Sequence, residues 1–134
     1  MTNHARGTFE VKTTPQAQDY ATENPPLGRL LLDKQFHGDI EGVSQGQMLS
    51  AGTPIGGSAV YVAIERVDGT LHDRRGTFSL HHTGIMTRGD GQLAINVIPD
   101  SGTGELVGLT GRMSIDITDG KHSYDFEYSL DQTE

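Results

Sequence analysis

Apolar and polar residues alternate along nearly the whole chain, which is the period of a β-strand with one buried face. No convincing stretch shows the spacing of an amphipathic helix. The alternation predicts eight strands, at 7–14, 27–38, 39–51, 58–71, 76–87, 92–101, 111–119 and 121–130. The sequence is therefore typical of an all-β protein.

Short glycine-containing segments separate most of the predicted strands. They read "HGD", "GTPIGG", "HDRRG", "RGDGQ", "GTGELVGLTG" and "DGK", whereas 15–27 is a longer loop after the first strand. Glycine supplies the positive φ that tight turns between antiparallel strands need. The sequence therefore predicts a single domain over 1–134. Its expected fold is an eight-stranded antiparallel up-and-down β-barrel, because closure removes exposed strand edges. A sandwich is the alternative.

The glycine-rich stretch "DSGTGELVGLTGRMSIDI" raises the question of a phosphate-binding loop. Such loops lead into a helix, and a P-loop also needs a lysine and a hydroxyl residue directly after its last glycine. Here Gly111 is followed by an alternation in which Met113, Ile115 and Ile117 share one face. The stretch is therefore predicted to be a turn entering a strand.

Composition narrows the classes of partner. The 134 residues carry a formal net charge of −8, which disfavours nucleic acid and anionic membrane surfaces as partners. Cysteine is absent, so disulfides and thiol chemistry are excluded. The polar start "MTNHARGTFEVKTT" lacks the apolar run of a signal peptide, and no transmembrane helix is predicted. We expect a cytoplasmic protein.

Five phrases of the sequence resemble an uncharacterised family of small bacterial proteins, a domain of unknown function. They are "LDKQFHGDIEG", "GQMLSAGTPIGGSAVYVAIERVDGTL", "GTFSLHHTGIMTRG", "PDSGTGELVGLTGRMSIDI" and "GKHSYDFEYSL". That family is similar in fold to the allene oxide cyclase barrel, a calycin- or lipocalin-like fold with relatives among the plant dirigent proteins. Leu106 stands where those relatives carry an aromatic residue. The resemblance implies a barrel that forms homo-oligomers, and it implies no particular reaction.

The alternation indicates which side chains face the barrel interior. The apolar members of this set are Phe9, Val11, Leu30, Leu32, Phe36, Phe78, Leu80, Tyr124, Phe126, Tyr128 and Leu130. The same parity carries Lys34 and His82 inward. Two ionisable residues are therefore expected to point into the barrel.

The fourth predicted strand is apolar on both faces. One face holds Val60, Val62 and Ile64, and the other holds Ala59, Tyr61, Ala63, Glu65 and Val67. A strand that is apolar on both faces is usually covered on both, which predicts a homo-oligomer, a dimer or a trimer. Which face points inward stays open here, because a bulge at Gly56 or Gly57 would exchange the two faces.

If the Tyr61 face points inward, Glu65 joins Lys34 and His82 in the lumen. The hydroxyls of Tyr61, Tyr124 and Tyr128 would then line an otherwise apolar ligand pocket. A buried lysine must be paired or lose its proton, so Glu65 is its expected partner, and His82 becomes a candidate acid or base. Alternatively, Lys34 reaches water at a barrel mouth and His82 is a hydrogen-bonded core histidine.

Other polar clusters are interpreted as turn chemistry. His81 and His82 are adjacent on one strand and point to opposite faces, so no metal site is predicted. Two groups of acidic residues and histidines lie around predicted turns: Asp33, His37, Asp39 and Glu41, and then Asp68, His72 and Asp73. Asp100 is a reserve candidate at a strand end, although turn formation explains it better.

Three functions remain open, and none requires a cofactor. The first is binding of a small apolar ligand in the lumen. The second is an enzyme of the isomerase or cyclase type that acts on an apolar substrate, with Glu65 and His82 as candidate catalytic residues. The third is an oligomeric structural or interaction module whose lumen is filled by Phe36, Phe78, Phe126 and Tyr128. A cavity in the lumen would favour the first two.

Overall fold

The protein is built from antiparallel strands joined in chain order. The structure, a computed structural model, describes residues 2–17 and 27–130. Its strands are β1 (Asn3–Pro15), β2 (Leu27–Gly38), β3 (Ile40–Gly52), β4 (Ala59–Leu71), β5 (Arg74–Thr87), β6 (Asp90–Val97), β7 (Leu109–Thr118) and β8 (Lys121–Leu130). A short 3₁₀ helix, Gly104–Leu106, precedes β7.

The sheet closes on itself. Each strand pairs with the next in the chain, and β8 pairs with β1, so the predicted eight-stranded up-and-down barrel is confirmed and the sandwich is excluded. The seam between β6 and β7 is short, since Ile95 pairs with Met113 and Asn96 with Arg112. Ile117, farther along β7, is therefore 62% exposed although it shares a face with buried Met113.

Tight turns join the strands with positive backbone φ angles, as the glycine pattern predicts. Gly38, Gly89 and Gly120 have φ values of 107°, 93° and 77°. The turn between β4 and β5 uses His72 and Asp73 instead, with φ values of 46° and 68°. Aspartate and histidine adopt this left-handed region more readily than most residues, so this turn forms without glycine at its centre.

The strand boundaries differ from the sequence prediction at several points. β1, β5 and β7 begin earlier than predicted, and the prediction of β6 at 92–101 is wrong at its end. After Val97 the chain turns, because the Ser101 N–H donates to the Ile98 carbonyl at 3.1 Å and Asp100 adopts a φ of 63°. Asp100 is thus an exposed turn residue. Most of the predicted loop at 15–27 lies outside the described residues.

The inward face of β4 is the one that carries Tyr61 and Glu65. Ala63 and Glu65 are buried, whereas Val60, Val62 and Ile64 are 43%, 44% and 59% exposed. A depression of about 830 Å³ lies along the outside of β3, β4 and β5, with Val62 and Ile64 in its wall. The two-faced apolar pattern is therefore real, and the homo-oligomer inferred from it stays a prediction.

The two ends of the lumen are filled differently. We call the end with the β2–β3 and β4–β5 turns the closed end, and there Phe36, Phe78, Phe126 and Leu106 are completely or almost completely buried. Phe126 stacks between Phe78 and Tyr128, at ring-centroid distances of 5.6 and 5.4 Å. At the opposite end, called the open end, the inward side chains become partly exposed. Aromatic packing therefore fills one half of the barrel.

Candidate functional site

Four neighbouring strands each contribute one polar side chain to the barrel interior. Lys34 lies on β2, Ser44 on β3, Glu65 on β4 and His82 on β5, and all four are buried. Lys34 pairs directly with Ser44 across β2 and β3, and His82 pairs with Ala63, two residues before Glu65. We call these four residues the buried cluster. Its members come together because their strands are adjacent and their parities all point inward.

Glu65 is the centre of the buried cluster. Its Oε2 accepts hydrogen bonds from Lys34 Nζ at 2.8 Å and from His82 Nε2 at 2.5 Å. Its Oε1 accepts one from Ser44 Oγ at 2.6 Å. Both carboxylate oxygens are therefore bound by protein groups, and the buried charge of Lys34 has the partner that the sequence predicts.

The electrostatics keep Glu65 ionised. Burial alone would raise the pKa of this carboxyl, but hydrogen bonds and a nearby charge outweigh it and lower the pKa from 4.5 to about 2. The largest lowering contribution is the His82 hydrogen bond, followed by Lys34 and then Ser44. Because an ionised carboxylate only accepts hydrogen bonds, Nε2 of His82 must carry a proton. The Nδ1 atom of a neutral His82 is then an unprotonated acceptor.

Aromatic rings flank the ammonium group of Lys34. Its Nζ lies 5.1 Å from the ring centroid of Phe9 and 5.9 Å from that of Phe36. Both distances lie within the range of about 6 Å over which a cation interacts with a ring face. The Lys34 side chain is only 6% exposed, so it does not reach water at a barrel mouth. The charges of Lys34 and Glu65 cancel within the cluster.

A glycine opposite Glu65 makes room for the cluster. A Cβ atom on Gly46 would lie 2.4 Å from the Ile64 carbonyl oxygen and 2.7 Å from the Cβ of Glu65. Those separations are shorter than van der Waals contact, so any other residue at this position would push β3 away from β4. Gly46 thus lets the Glu65 carboxylate reach both of its neighbouring strands.

Tyr61 continues the site toward the open end. Its ring lies over Gly84, where an added Cβ would be only 2.1 Å from Tyr61 Cε1, and its centroid is 6.4 Å from that of His82. Burial, and to a smaller extent the charge of Glu65, raise the pKa of the Tyr61 phenol. Tyr61 is therefore a neutral group that can donate a hydrogen bond near neutral pH.

A cavity of about 420 Å³ occupies the open end. Its wall is largely apolar and includes Met48, Ser50, Ala59, Tyr61, Gly84, Met86 and Leu93. Of the predicted pocket residues, Tyr61 lines this cavity, whereas Lys34, Glu65 and His82 are outside its wall. Tyr61 thus connects the cavity with the buried cluster.

Comparison with known proteins assigns the family. Residues 5–128 match the family model described as "Protein of unknown function (DUF3224)". The chain belongs to this family. It is also similar to a protein of unknown function from the DUF3224 family of Shewanella oneidensis MR-1, at 49% sequence identity. That crystal structure superposes with a TM-score of 0.92, over 98% of this chain and 99% of the other.

Membership of DUF3224 confirms the resemblance to an uncharacterised bacterial family. No curated protein matches the sequence. The likeness of the DUF3224 barrel to the allene oxide cyclase barrel stays a prediction. Within 2–17 and 27–130, no helix has the length and apolarity that crossing a bilayer would require.

Two of the predicted pocket tyrosines lie at the closed end of the DUF3224 barrel, away from the cavity. The Tyr124 hydroxyl accepts from the Ile40 N–H and donates to the His37 carbonyl, both at 2.9 Å. Burial is the main reason why the pKa of Tyr124 rises to about 12. The Tyr128 hydroxyl is hydrogen-bonded to Nδ1 of His72. Both hydroxyls thus hold turns in place.

The acidic and histidine residues around the turns do not join the buried cluster. His37 lies 3.2 Å from Glu10, His72 lies 3.4 Å from Asp39, and Asp68 bonds Arg75 at 2.9 Å. Asp33 and Asp73 are exposed. Among the residues for which coordinates are described, no group of three or more His, Cys, Asp or Glu side chains is placed to hold a metal ion.

Sequence reasoning missed several residues of the site. Ser44 shares the inward parity of Ile40, but the polar run "SQGQ" around it hides that parity. Met48 and Ser50 continue the same face into the cavity wall. Gly84, in the stretch "TGIM", pairs with Tyr61 and could have indicated the position of the tyrosine ring. Glycine inside a strand often marks the close approach of another group.

Proposed function

We propose that this DUF3224 protein binds a small, largely apolar molecule at the open end of its barrel. The observation that carries the proposal is the cavity of about 420 Å³ with its mostly apolar wall. Ligand pockets typically measure about 300 to 1,000 Å³ and combine an apolar lining with a few polar groups. Tyr61 and Ser50 supply such polar groups in the wall.

The filled closed end supports the same function. Phe78, Phe126 and Tyr128 form a continuous stack that fills one half of the barrel. Close packing in one half favours a preformed cavity in the other half, and a preformed cavity loses less conformational entropy when a ligand binds. The hypothesis of a filled lumen thus describes the closed end of the barrel, whereas the open end has room for a ligand.

A pair of neighbouring substitutions tests this proposal. Ser50→Phe places a ring in the cavity, whereas Leu49→Phe places the same ring on the exposed outer face of the same strand. We expect the neutral fluorescent probe N-phenyl-1-naphthylamine to bind the wild-type protein. Ser50→Phe should weaken binding by about tenfold or more, and Leu49→Phe should change it by less than about twofold.

Fluorescence titration measures these affinities, and circular dichroism checks that both variants are folded. Equal affinities of the two variants would place the probe outside the lumen and contradict the proposal, as would a wild-type protein that does not bind the probe. Native mass spectrometry of the purified protein then gives the mass of any natural ligand that remains bound.

The second candidate function is an enzyme of the isomerase or cyclase type. It is favoured by the hydrogen bond from His82 Nε2 to Glu65, which leaves Nδ1 of a neutral His82 as a base. In such a reaction Nδ1 would take a proton from a carbon next to a carbonyl group and return it to the same substrate, so no co-reactant is needed.

Deuterium exchange tests this second candidate. The probe is 2-nonanone in deuterated water, with deuterium uptake followed by mass spectrometry. Catalysis predicts uptake above the buffer rate that is lost in His82→Gln, whose amide N–H still donates to Glu65 but which has no basic nitrogen. Binding of the ketone without any uptake would leave the protein as a binder.

A further inference from the structure

The polar atoms around Glu65 are almost all paired with one another. Lys34 Nζ, Ser44 Oγ, His82 Nε2 and both carboxylate oxygens take part in the hydrogen bonds of the buried cluster. A ligand could therefore compete for these atoms only by breaking a bond to a buried charge, which is costly.

Two neighbouring atoms remain open. Within residues 2–17 and 27–130, neither His82 Nδ1 nor the Tyr61 hydroxyl has a hydrogen-bond partner. In that same part of the chain, no completely buried side-chain nitrogen or oxygen is left without one. Both atoms therefore keep surface that a bound molecule can contact, although His82 as a whole is only 5% exposed.

The two open atoms have complementary requirements. Nδ1 of neutral His82 accepts a hydrogen bond, because Nε2 carries the proton that is donated to Glu65. The Tyr61 phenol donates one. The two rings are neighbours, with their centroids 6.4 Å apart. A single hydroxyl group, which is both a donor and an acceptor, meets both requirements.

We infer that the ligand is a neutral, apolar alcohol or phenol whose hydroxyl donates to His82 Nδ1 and accepts from Tyr61. This inference rests on the proposed function and adds the chemical class of the ligand. Neutrality follows from the cancelling charges of Lys34 and Glu65, since an anionic ligand would place its charge near the Glu65 carboxylate without a free cation of the cluster to pair with. The apolar body of the ligand lies in the cavity beyond Tyr61.

Three probes that share the naphthalene ring system test the inference: naphthalene, 2-methoxynaphthalene and 2-naphthol. The methoxy oxygen accepts from Tyr61 but has no proton for His82, and naphthalene offers neither function. We expect 2-naphthol to bind about tenfold more tightly than 2-methoxynaphthalene. Transfer from water into an apolar cavity would by itself rank 2-naphthol last, because it is the most polar of the three.

A matched pair of variants assigns the effect to Tyr61. Tyr61→Phe removes the open hydroxyl and should weaken binding of both oxygen-containing probes by about fivefold to tenfold, while naphthalene stays within about twofold. Tyr128→Phe removes a hydroxyl that is already bonded to His72 at the closed end, and it should leave all three affinities unchanged within about twofold. Urea unfolding confirms that both variants are folded.

The outcomes separate this inference from the proposed function. If all three probes bind, Ser50→Phe displaces them, and 2-naphthol has no advantage, the hydroxyl inference fails while ligand binding stands. Equal effects of Tyr61→Phe and Tyr128→Phe would also overturn it. If none of the three probes binds up to its solubility limit while N-phenyl-1-naphthylamine binds, the inference fails and the cavity function stands. If N-phenyl-1-naphthylamine also fails to bind, the two fail together.

Discussion

Replacing Glu65 by glutamine is expected to destabilise the barrel by about 3 to 5 kcal/mol, the usual consequence of removing one partner from a buried ion pair. The substitution leaves the Lys34 charge buried without a counterion. It also leaves three donors, from Lys34, Ser44 and His82, around an amide that offers one acceptor oxygen. Urea unfolding near neutral pH measures the change in the free energy of unfolding.

The double variant Lys34→Met/Glu65→Leu is the control for this prediction. It removes both charges and keeps similar volumes, so most of the stability lost in Glu65→Gln should return. The two variants should therefore differ by several kcal/mol although both lack the carboxylate. A double variant as unstable as Glu65→Gln would show that lost packing, and not the unpaired lysine, explains the effect.

The same carboxylate predicts a dependence of stability on pH. The folded-state pKa of Glu65 is about 2, below its ordinary value of 4.5. A lowered pKa contributes stability that is fully present above 4.5 and is lost as the pH falls toward 2. Between these values the wild-type protein should lose more stability than the double variant. Parallel curves would contradict the assigned ionisation of Glu65.

Replacing Phe126 by alanine is expected to cost about 3 to 5 kcal/mol, because it leaves a cavity in a closely packed core. Phe126 is completely buried and lies between the rings of Phe78 and Tyr128. The closed end offers little room for relaxation, since the buried Leu106 of the 3₁₀ helix belongs to the same core. Thermal or urea unfolding measures the loss.

Ile117→Ala is the matched control for Phe126→Ala. Ile117 is an apolar residue on β7 that is 62% exposed, so its truncation should change the free energy of unfolding by less than about 0.5 kcal/mol. Because the cavity lies at the opposite end of the barrel, folded Phe126→Ala should still bind the fluorescent probe. A small effect of Phe126→Ala, comparable to that of Ile117→Ala, would contradict a tightly packed closed end.

Much of the fold was predictable because the strand period is local. Alternating residues such as Tyr124, Phe126 and Tyr128 mark an inward face without any knowledge of partners. Glycine and aspartate at the turns mark where strands end. The boundary of β6 was missed because apolar Ile98 extends the strand-like sequence beyond Val97, while the turn depends on the backbone of Asp100 and Ser101.

Three of the four members of the buried cluster were predictable, whereas Ser44 and the geometry of the site were not. Parity alone assigned Lys34 and His82 to the interior, and the need to neutralise a buried lysine pointed to Glu65. The inward parity of β4 could not be decided from its own residues, because both of its faces are apolar. Tyr124 and Tyr128 have the correct parity, but their position along the barrel axis places them at the closed end.

The sequence by itself determined the strands, the turns and the side of the sheet on which most residues lie, since these depend on neighbours along the chain. Only the tertiary structure decided the axial level of each side chain, because that level follows from strand register and from the stagger that closure imposes. Register brings Lys34, Ser44, Glu65 and His82 together and separates the filled closed end from the cavity beside Tyr61. The chemistry of the site therefore depends on contacts between residues distant in sequence.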